Sequence, residues 1–454
     1  MRIQPHVSIL FLNVAIAVCV VVLLSVAAVA RATSKHDVSA TPSHQQQPPH
    51  QQQGGDPNFP PLLPMWWDAS EGAYMVDLGV GQGLVSFVVD TGSSHLSAKG
   101  VDCKWTTCGP AAERDGDADE CETRPCPCSS GVNDCTPYAY RPGSTHRQIS
   151  THMSTMTYGS QTDQVQHFWD FVRVPNAWKI TSSCDMLTIP PRPLDQSAYF
   201  ENADPSSVAR FEVVVYRVRH INGTSASNML GLAPPPRLRG GKTTTPVART
   251  VLEFLWDQTA GHQLWSFWCH EHAKWGWLAL GKVPCFADRT MYVPLVQPKS
   301  MAALLTHFYV IPLLSIRVGP SPSALRQVTP APQYALVDTG TTCTYGSPGF
   351  GRALDGAGFT ESSWYFEMTL GTSRSSSKKL LFAPHEIQDP DIPSQSIIQA
   401  WEGRTLDEYT TIFPERRNGS GGVLLWGALM MQGMYMEFDI GQRKFGIVDA
   451  RQRG

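Results

Sequence analysis

One nine-residue pattern occurs twice, and it limits the fold of the chain more than any other feature. Ser86-Phe87-Val88-Val89-Asp90-Thr91-Gly92-Ser93-Ser94 is echoed by Tyr334-Ala335-Leu336-Val337-Asp338-Thr339-Gly340-Thr341-Thr342. Each copy is an apolar run that ends on Asp-Thr-Gly and two hydroxyl residues. Each is followed much later by an apolar stretch carrying a glycine. These are Asn228-Met229-Leu230-Gly231-Leu232-Ala233 in the first half and Val423-Leu424-Leu425-Trp426-Gly427-Ala428 in the second. Asp and Gly are common at strand-end turns, so a single copy would say little. Two copies of a two-part signature predict two related lobes. The boundary then falls near Val283-Pro284, with an N-terminal lobe over 65–283 and a C-terminal lobe over 284–454.

The texture between these signals is mainly β. Charged residues make up only 17% of the 454, while Gly (37) and Pro (35) are plentiful, as in loop-rich β proteins. GAYMVDLGV and VSFVVDTG read as two strands joined by the Gly81-Gln82-Gly83 turn. Strand-like runs recur at RFEVVVYRVRHI, WGWLALGKV, HFYVIPLLSIRVG, QYALVDTG, SWYFEMTL and MYMEFDI. VARTVLEFLWDQ and SPGFGRALDGAG read as helices. The 36 basic and 39 acidic residues leave a net charge of -3 with no Lys/Arg block, which gives no sign of nucleic-acid binding.

The N-terminus points to the secretory pathway. Residues 7–30 form one apolar run after Arg2 that ends in Ala28-Val29-Ala30, a small-x-small pattern. The segment 1–30 is therefore read as a signal peptide, or as an uncleaved signal-anchor long enough to span a bilayer. Residues 31–64 are rich in Gln, Pro and His and read as a disordered linker or short pro-segment, because they have too few apolar side chains to offset ordering entropy. Of 11 cysteines one, Cys19, lies in the apolar run, leaving an even ten for an oxidising lumen. Asn222-Gly223-Thr224 and Asn418-Gly419-Ser420 are glycosylation candidates in that setting.

With both motifs in view, the sequence from Gly72 to Ala450 resembles the pepsin-like aspartic proteases. The resemblance implies a bilobal, mainly β fold with an active-site cleft between two related lobes, and Asp90 and Asp338 as the catalytic pair. Two carboxyls close enough to share a proton can take a proton from water and donate one to the substrate carbonyl. That is this family's established chemistry, and the two protons belong to the pair rather than to either residue. The resemblance further implies that Thr91 and Thr339 brace the two loops. Ser93 and Thr341 would hydrogen-bond the outer carboxylate oxygens. Gly92 and Gly340 have no side chain, so backbone can approach the carboxylates closely. Thr157-Tyr158-Gly159 is similar to the tip of the family's flap hairpin, which makes Tyr158 the residue that closes over substrate. Cys103 and Cys108 sit where many members carry a small disulfide-closed loop. Glu437 to Ile447 resembles the family's closing strands.

The chain also departs from the family pattern. Ser97 stands where much of the family has a tryptophan that supports the flap tyrosine, and Ala428 stands where an aspartate commonly follows the second apolar-Gly signal. Cys121 to Cys135 (CETRPCPCSSGVNDC) is a four-cysteine insertion, a poor match to zinc-finger spacing and better suited to disulfides in a lumen. It resembles the cysteine-rich insertion of the nepenthesin-like plant branch, as Trp268-Cys269 does. Cys343 is read as disulfide-bonded or buried.

The expected activity is endopeptidase cleavage of protein or peptide substrates at acidic pH. The compartment would be extracellular or an acidic endomembrane one, with residues 7–30 able to anchor the chain. No cofactor and no metal are expected, and a monomer is the family default. A pepsin-like binding or inhibitor protein is the alternative. A membrane-tethered adhesion protein would rest on the apolar run alone.

Overall fold

The computed structural model describes residues 62–69, 71–108, 121–126, 139–144, 146–158, 161–175, 208–222, 228–234, 250–258, 263–270, 274–297, 308–329, 331–359, 363–386, 398–400 and 422–449. The apolar run 7–30, the linker up to residue 61 and the sequon at Asn418 lie outside them. Among the described residues no helix is long and apolar enough to cross a membrane.

In chain order the first strands are β1 (Leu62–Asp68), β2 (Ala73–Val80), β3 (Gly83–Asp90), β4 (Leu96–Cys108) and β5 (Cys121–Pro125). They are followed by β6 (Arg147–Gln148), β7 (Ser154–Tyr158), β8 (Gln161–Pro175), β9 (Val208–Asn222) and β10 (Met229–Gly231). Helix α1 (Val251–Gln258) precedes β11 (Leu264–Cys269), β12 (Trp275–Ala279) and β13 (Met291–Pro294). Next come β14 (Tyr309–Gly319), β15 (Arg326–Gln327), β16 (Tyr334–Asp338), β17 (Thr344–Gly346) and helix α2 (Pro348–Gly356). The last strands are β18 (Tyr365–Gly371), β19 (Ser377–Phe382), β20 (Ile398–Ala400), β21 (Val423–Gly427), β22 (Met434–Asp439) and β23 (Lys444–Asp449).

These strands form two sheets among the described residues. The smaller has the order β19-β18-β14-β16-β21-β17-β20, with β15 on β14. The larger runs β13-β23-β22-β11-β12-β1-β2-β3-β10-β4-β9-β8-β6, with β5 on β4 and β7 on β8. The larger sheet draws strands from both sides of residue 283, because β22 pairs antiparallel with β11 from Leu264↔Asp439 to Trp268↔Tyr435. Aromatic stacking fixes that seam: Phe438 lies on Trp265 with centroids 4.2 Å apart and planes 3° from parallel. β1 begins at Leu62, opposite Ala279, so the last three residues of the segment read as linker are sheet.

The β3 strand shows why these runs are strands. Val85, Phe87 and Val89 point into the main core, while Val88 faces the other way into a small cluster with Ala73 and Met75. Both faces are covered, so the sequence reads as an almost unbroken apolar run. β2 and β3 close on a two-residue turn, Val80 pairing Gly83, as the sequence suggests. The N-terminus of helix α1 is set by a reciprocal cap. Thr250 Oγ1 accepts from Glu253 N at 3.2 Å, and Glu253 Oε2 accepts from Thr250 N at 2.8 Å. Ser347 caps α2 by accepting from Phe350 N at 3.1 Å.

Cys103 forms its disulfide with Cys126 across β4 and β5, at a Cα–Cα distance of 5.4 Å, and not with Cys108. The reason is geometric. Cys103 and Cys108 lie five residues apart on one extended strand. At about 3.3 Å per residue that is roughly 16 Å, far beyond disulfide reach. Replacing both Cys103 and Cys126 by Ser is expected to cost about 3 kcal/mol from the loop closed. Urea denaturation under non-reducing conditions reads this as a lower midpoint.

Candidate active site

The two Asp-Thr-Gly sequences end equivalent strands. Asp90 closes β3 and Asp338 closes β16. Each of these strands pairs in parallel with the apolar-Gly strand of its own half. Gly231 of β10 lies opposite Asp90, and Gly427 of β21 lies opposite Asp338. The glycines are needed because the loop after each aspartate folds back over them. A Cβ on Gly231 would collide with His95 N, and one on Gly427 would collide with the Cys343 carbonyl oxygen. His95 and Cys343 each stand five residues after their aspartate, so the repeat holds at the level of backbone contacts.

The two loops are locked together by their threonines. Thr91 N donates to Thr339 Oγ1 at 3.0 Å, and Thr339 N donates to Thr91 Oγ1 at 2.9 Å. Each hydroxyl then donates across to the other strand: Thr91 Oγ1 to Val337 O at 2.8 Å and Thr339 Oγ1 to Val89 O at 2.5 Å. All four bonds are buried, where an unmade bond is costly. This reciprocity places the two aspartates side by side. A Cβ on Gly340 would collide with Asp90 Oδ1, and one on Gly92 would come within 2.8 Å of Asp338 Oδ1. Only glycine leaves the carboxyls this close.

The carboxyls are then polarised unequally. Gly92 N donates to Asp90 Oδ1 at 2.7 Å. Asp338 accepts from Gly340 N at 3.0 Å and from Thr341 Oγ1 at 2.7 Å. Burial first, then the Asp90 charge and a hydrogen bond between the two carboxyls, raise Asp338 well above the usual carboxylate range. The Thr341 and Gly340 donors oppose that rise without cancelling it. A pair arranged this way can hold one proton between two oxygens and offer both a base and an acid to a bound water.

Ser93 departs from what the resemblance implies. Its Oγ is buried and makes no hydrogen bond among the described residues, whereas Thr341 does reach its aspartate. The first loop is clamped on its far side, with Ser93 O accepting from Ala233 N at 2.7 Å and Ser94 O from Val251 N at 3.1 Å. Held there, the Ser93 hydroxyl does not reach the Asp90 carboxylate. Cys343 is a buried thiol and takes part in no disulfide among the described residues. Tyr158 ends β7 and pairs with Gln161 in the β7–β8 hairpin; its side chain lies outside what is described. Asn222 is exposed at the end of β9.

Several supporting residues carry no motif signal. Asn228 is buried beside the first loop. Its Nδ2 donates to Ser86 O at 3.0 Å, its Oδ1 accepts from Lys99 N at 2.7 Å, and its carbonyl accepts from Val88 N at 2.9 Å. It thereby holds β3 and β4 on either side of β10. Tyr309 links the small sheet to the same loop, donating to Leu232 O at 2.7 Å while Leu232 N donates to Asp90 O at 2.7 Å. The position of Asn228 directly before Met-Leu-Gly was the available clue; Tyr309 offered none.

No protein-family model matches the chain, and no curated protein matches it.

Proposed function

We propose that the chain is an aspartic endopeptidase with a bilobal, pepsin-like fold, hydrolysing peptide bonds through a water held by Asp90 and Asp338. The observation that carries this reading is the reciprocal Thr91–Thr339 lock, which sets two carboxyls from equivalent strands against each other. A structural role would be better served by apolar residues, since two like charges held this close, one buried and one half-buried, are destabilising. Persisting without a counter-cation among its described contacts, the pair is a candidate for acid–base work. The substrates are protein or peptide chains, and neither cofactor nor metal enters the step. The setting is the secretory pathway, with residues 7–30 as leader or anchor. The chain acts as a monomer.

One carboxylate takes a proton from the water as its oxygen attacks the carbonyl carbon, while the proton on the other moves to the carbonyl oxygen. Burial and mutual repulsion, which raise the proton affinity at Asp338, let the pair keep one proton between them, so activity belongs to mildly acidic pH. The competing reading, a binding protein of the same fold, draws on the unbonded Ser93 hydroxyl and on Ser97. A peptide-library digest across pH, with and without pepstatin, separates the two. The native chain is expected to cleave with a maximum below neutrality and Asp90→Asn to cleave nothing measurable. Equal cleavage by both proteins would sink the assignment, and absence of cleavage by the native chain would favour the binding protein.

A further inference from the structure

Ser97 stands in a row of residues that face one another across neighbouring strands. Met229 of β10 lies opposite Ser97 of β4, Ser97 opposite Tyr216 of β9, and Tyr216 opposite His167 of β8. Residues directly opposite each other share a face of the sheet, so these four side chains form one file. Ser97 is its smallest member and is fully buried, at 0% exposed. Tyr216, directly opposite Ser97, is packed by two further rings. His95, in the loop after Asp90, packs on Tyr216 with centroids 4.5 Å apart. His167 meets the same ring edge-on at 4.7 Å. His95 Nδ1 shares a hydrogen bond with Ser94 Oγ at 3.2 Å, which ties that end to the aspartate loop. His167 Nε2 shares one with Ser154 Oγ at 3.0 Å, which ties the other end to the first strand of the β7–β8 hairpin.

We propose that the His95–Tyr216–His167 ring file, closed by Ser154, positions the hairpin that carries Tyr158 relative to the Asp90 loop, and that protonation of His167 uncouples the two. The idea rests on the peptidase reading for its consequence, since the hairpin matters there as the substrate cover. β7 pairs only with β8 among the described strands, so the Ser154 contact is an added hold on an edge. Among the described residues, the titratable groups facing His167 are Tyr216 from β9 and, beyond it, His95. β7 contributes the uncharged Ser154, and the segment after β6 contributes only Ile149 N, which donates to His167 O at 2.9 Å. Among the described residues no carboxylate stands by to stabilise an imidazolium, and His167 is 7% exposed.

Burial lowers the proton affinity of His167 below the ordinary histidine range, and burial keeps Tyr216 neutral. A group with a lowered pKa in the closed state binds its proton better in the open one. The hold is therefore intact above the ordinary histidine pKa and weakens as pH falls below it. The hairpin would be fastened at neutral pH and released in acid, where the proposed chemistry operates.

Hydrogen–deuterium exchange on the intact chain tests the coupling without any turnover. The peptide covering residues 154–158 is followed from pH 7.5 to pH 5, after correction for intrinsic exchange. Protection in the native chain is expected to fall by up to about tenfold per pH unit once His167 charges. His167→Phe keeps a ring but neither titrates nor bonds Ser154, so its protection should lose this pH dependence. Ser154→Ala should lower protection at pH 7.5, and Ser154→Thr should restore it. Peptides in β18 and β19 serve as controls and should not change. A native chain with no acid-induced loss, or a His167→Phe chain that keeps the full loss, overturns the proposal. Peptide cleavage by the same proteins is measured in parallel. A chain that cleaves nothing yet shows the exchange step would defeat the peptidase reading and leave the coupling standing.

Discussion

Asp338→Asn is expected to lower peptide hydrolysis by about 10²–10⁴-fold while making the fold less sensitive to rising pH. The two effects have one cause. Asp338 binds its proton more tightly in the folded chain than in the unfolded one, because burial and the neighbouring Asp90 disfavour its charge. The stability linked to that proton is fully present below the ordinary carboxylate pKa and is lost as pH rises through the raised value. An amide at this position does not titrate, so the loss should vanish. Urea denaturation of both proteins at pH 4 and pH 7, read as the difference in midpoint, measures it. The variant should gain on the native chain at pH 7. A difference that is the same at both pH values would show that Asp338 carries no raised affinity, and would remove the basis for a proton shared by the pair.

The second large effect concerns the lock. Thr339→Val keeps the shape of the side chain but removes an oxygen that accepts from Thr91 N and donates to Val89 O. Two buried backbone groups lose their partners at once. At about 1–3 kcal/mol each, the loss is roughly 2–6 kcal/mol, a large part of the stability of an ordinary domain. Thr339→Ser keeps the hydroxyl and should recover most of it. Thermal unfolding followed by circular dichroism orders the three proteins native, Ser, Val. If Val unfolded with Ser, the reciprocal bonds would be geometry without energetic weight. Where the Val variant stays folded, a shift of the two loops by about 1 Å would lower turnover by about 10²-fold through misplaced carboxyls.

How much of this was legible in the sequence depends on how local the cause is. β2, β3, β14 and β16 are apolar runs bounded by Gly or Pro, and they stand where the residues suggest. β4 does not read as a strand, because Lys99, Gly100, Asp102 and Lys104 interrupt LSAKGVDCKWTTC. It is extended because β10, β9 and β5 all pair with it, a tertiary cause with no local signature. β8 is similar: its polar start, Thr162 to Gln164, is held by register against β9. The disulfide followed the same logic, since the partner of Cys103 was fixed by which strand lies beside β4. At the site, the repeated Asp-Thr-Gly was visible as residues. The crossing of Thr91 with Thr339 was only implied by resemblance, and the failure of Ser93 to reach Asp90 could not be read at all. The ring file was hidden for a further reason: His95, His167 and Tyr216 come from three separate segments, and none of them carries a motif.

The pairing of β11 with β22 sets a timetable for synthesis. Trp265 leaves the ribosome long before Phe438, the residue it stacks on, and the two are separated by about 170 residues. At about 5–20 residues per second, the open edge of β11 waits on the order of ten to thirty seconds for its neighbour. Until then the strand presents unpaired backbone and a large aromatic surface to whatever is nearby. Newly made chain should therefore depend on a chaperone that covers exposed β edges, and a ribosome stalled before residue 434 should leave a product that never closes its larger sheet.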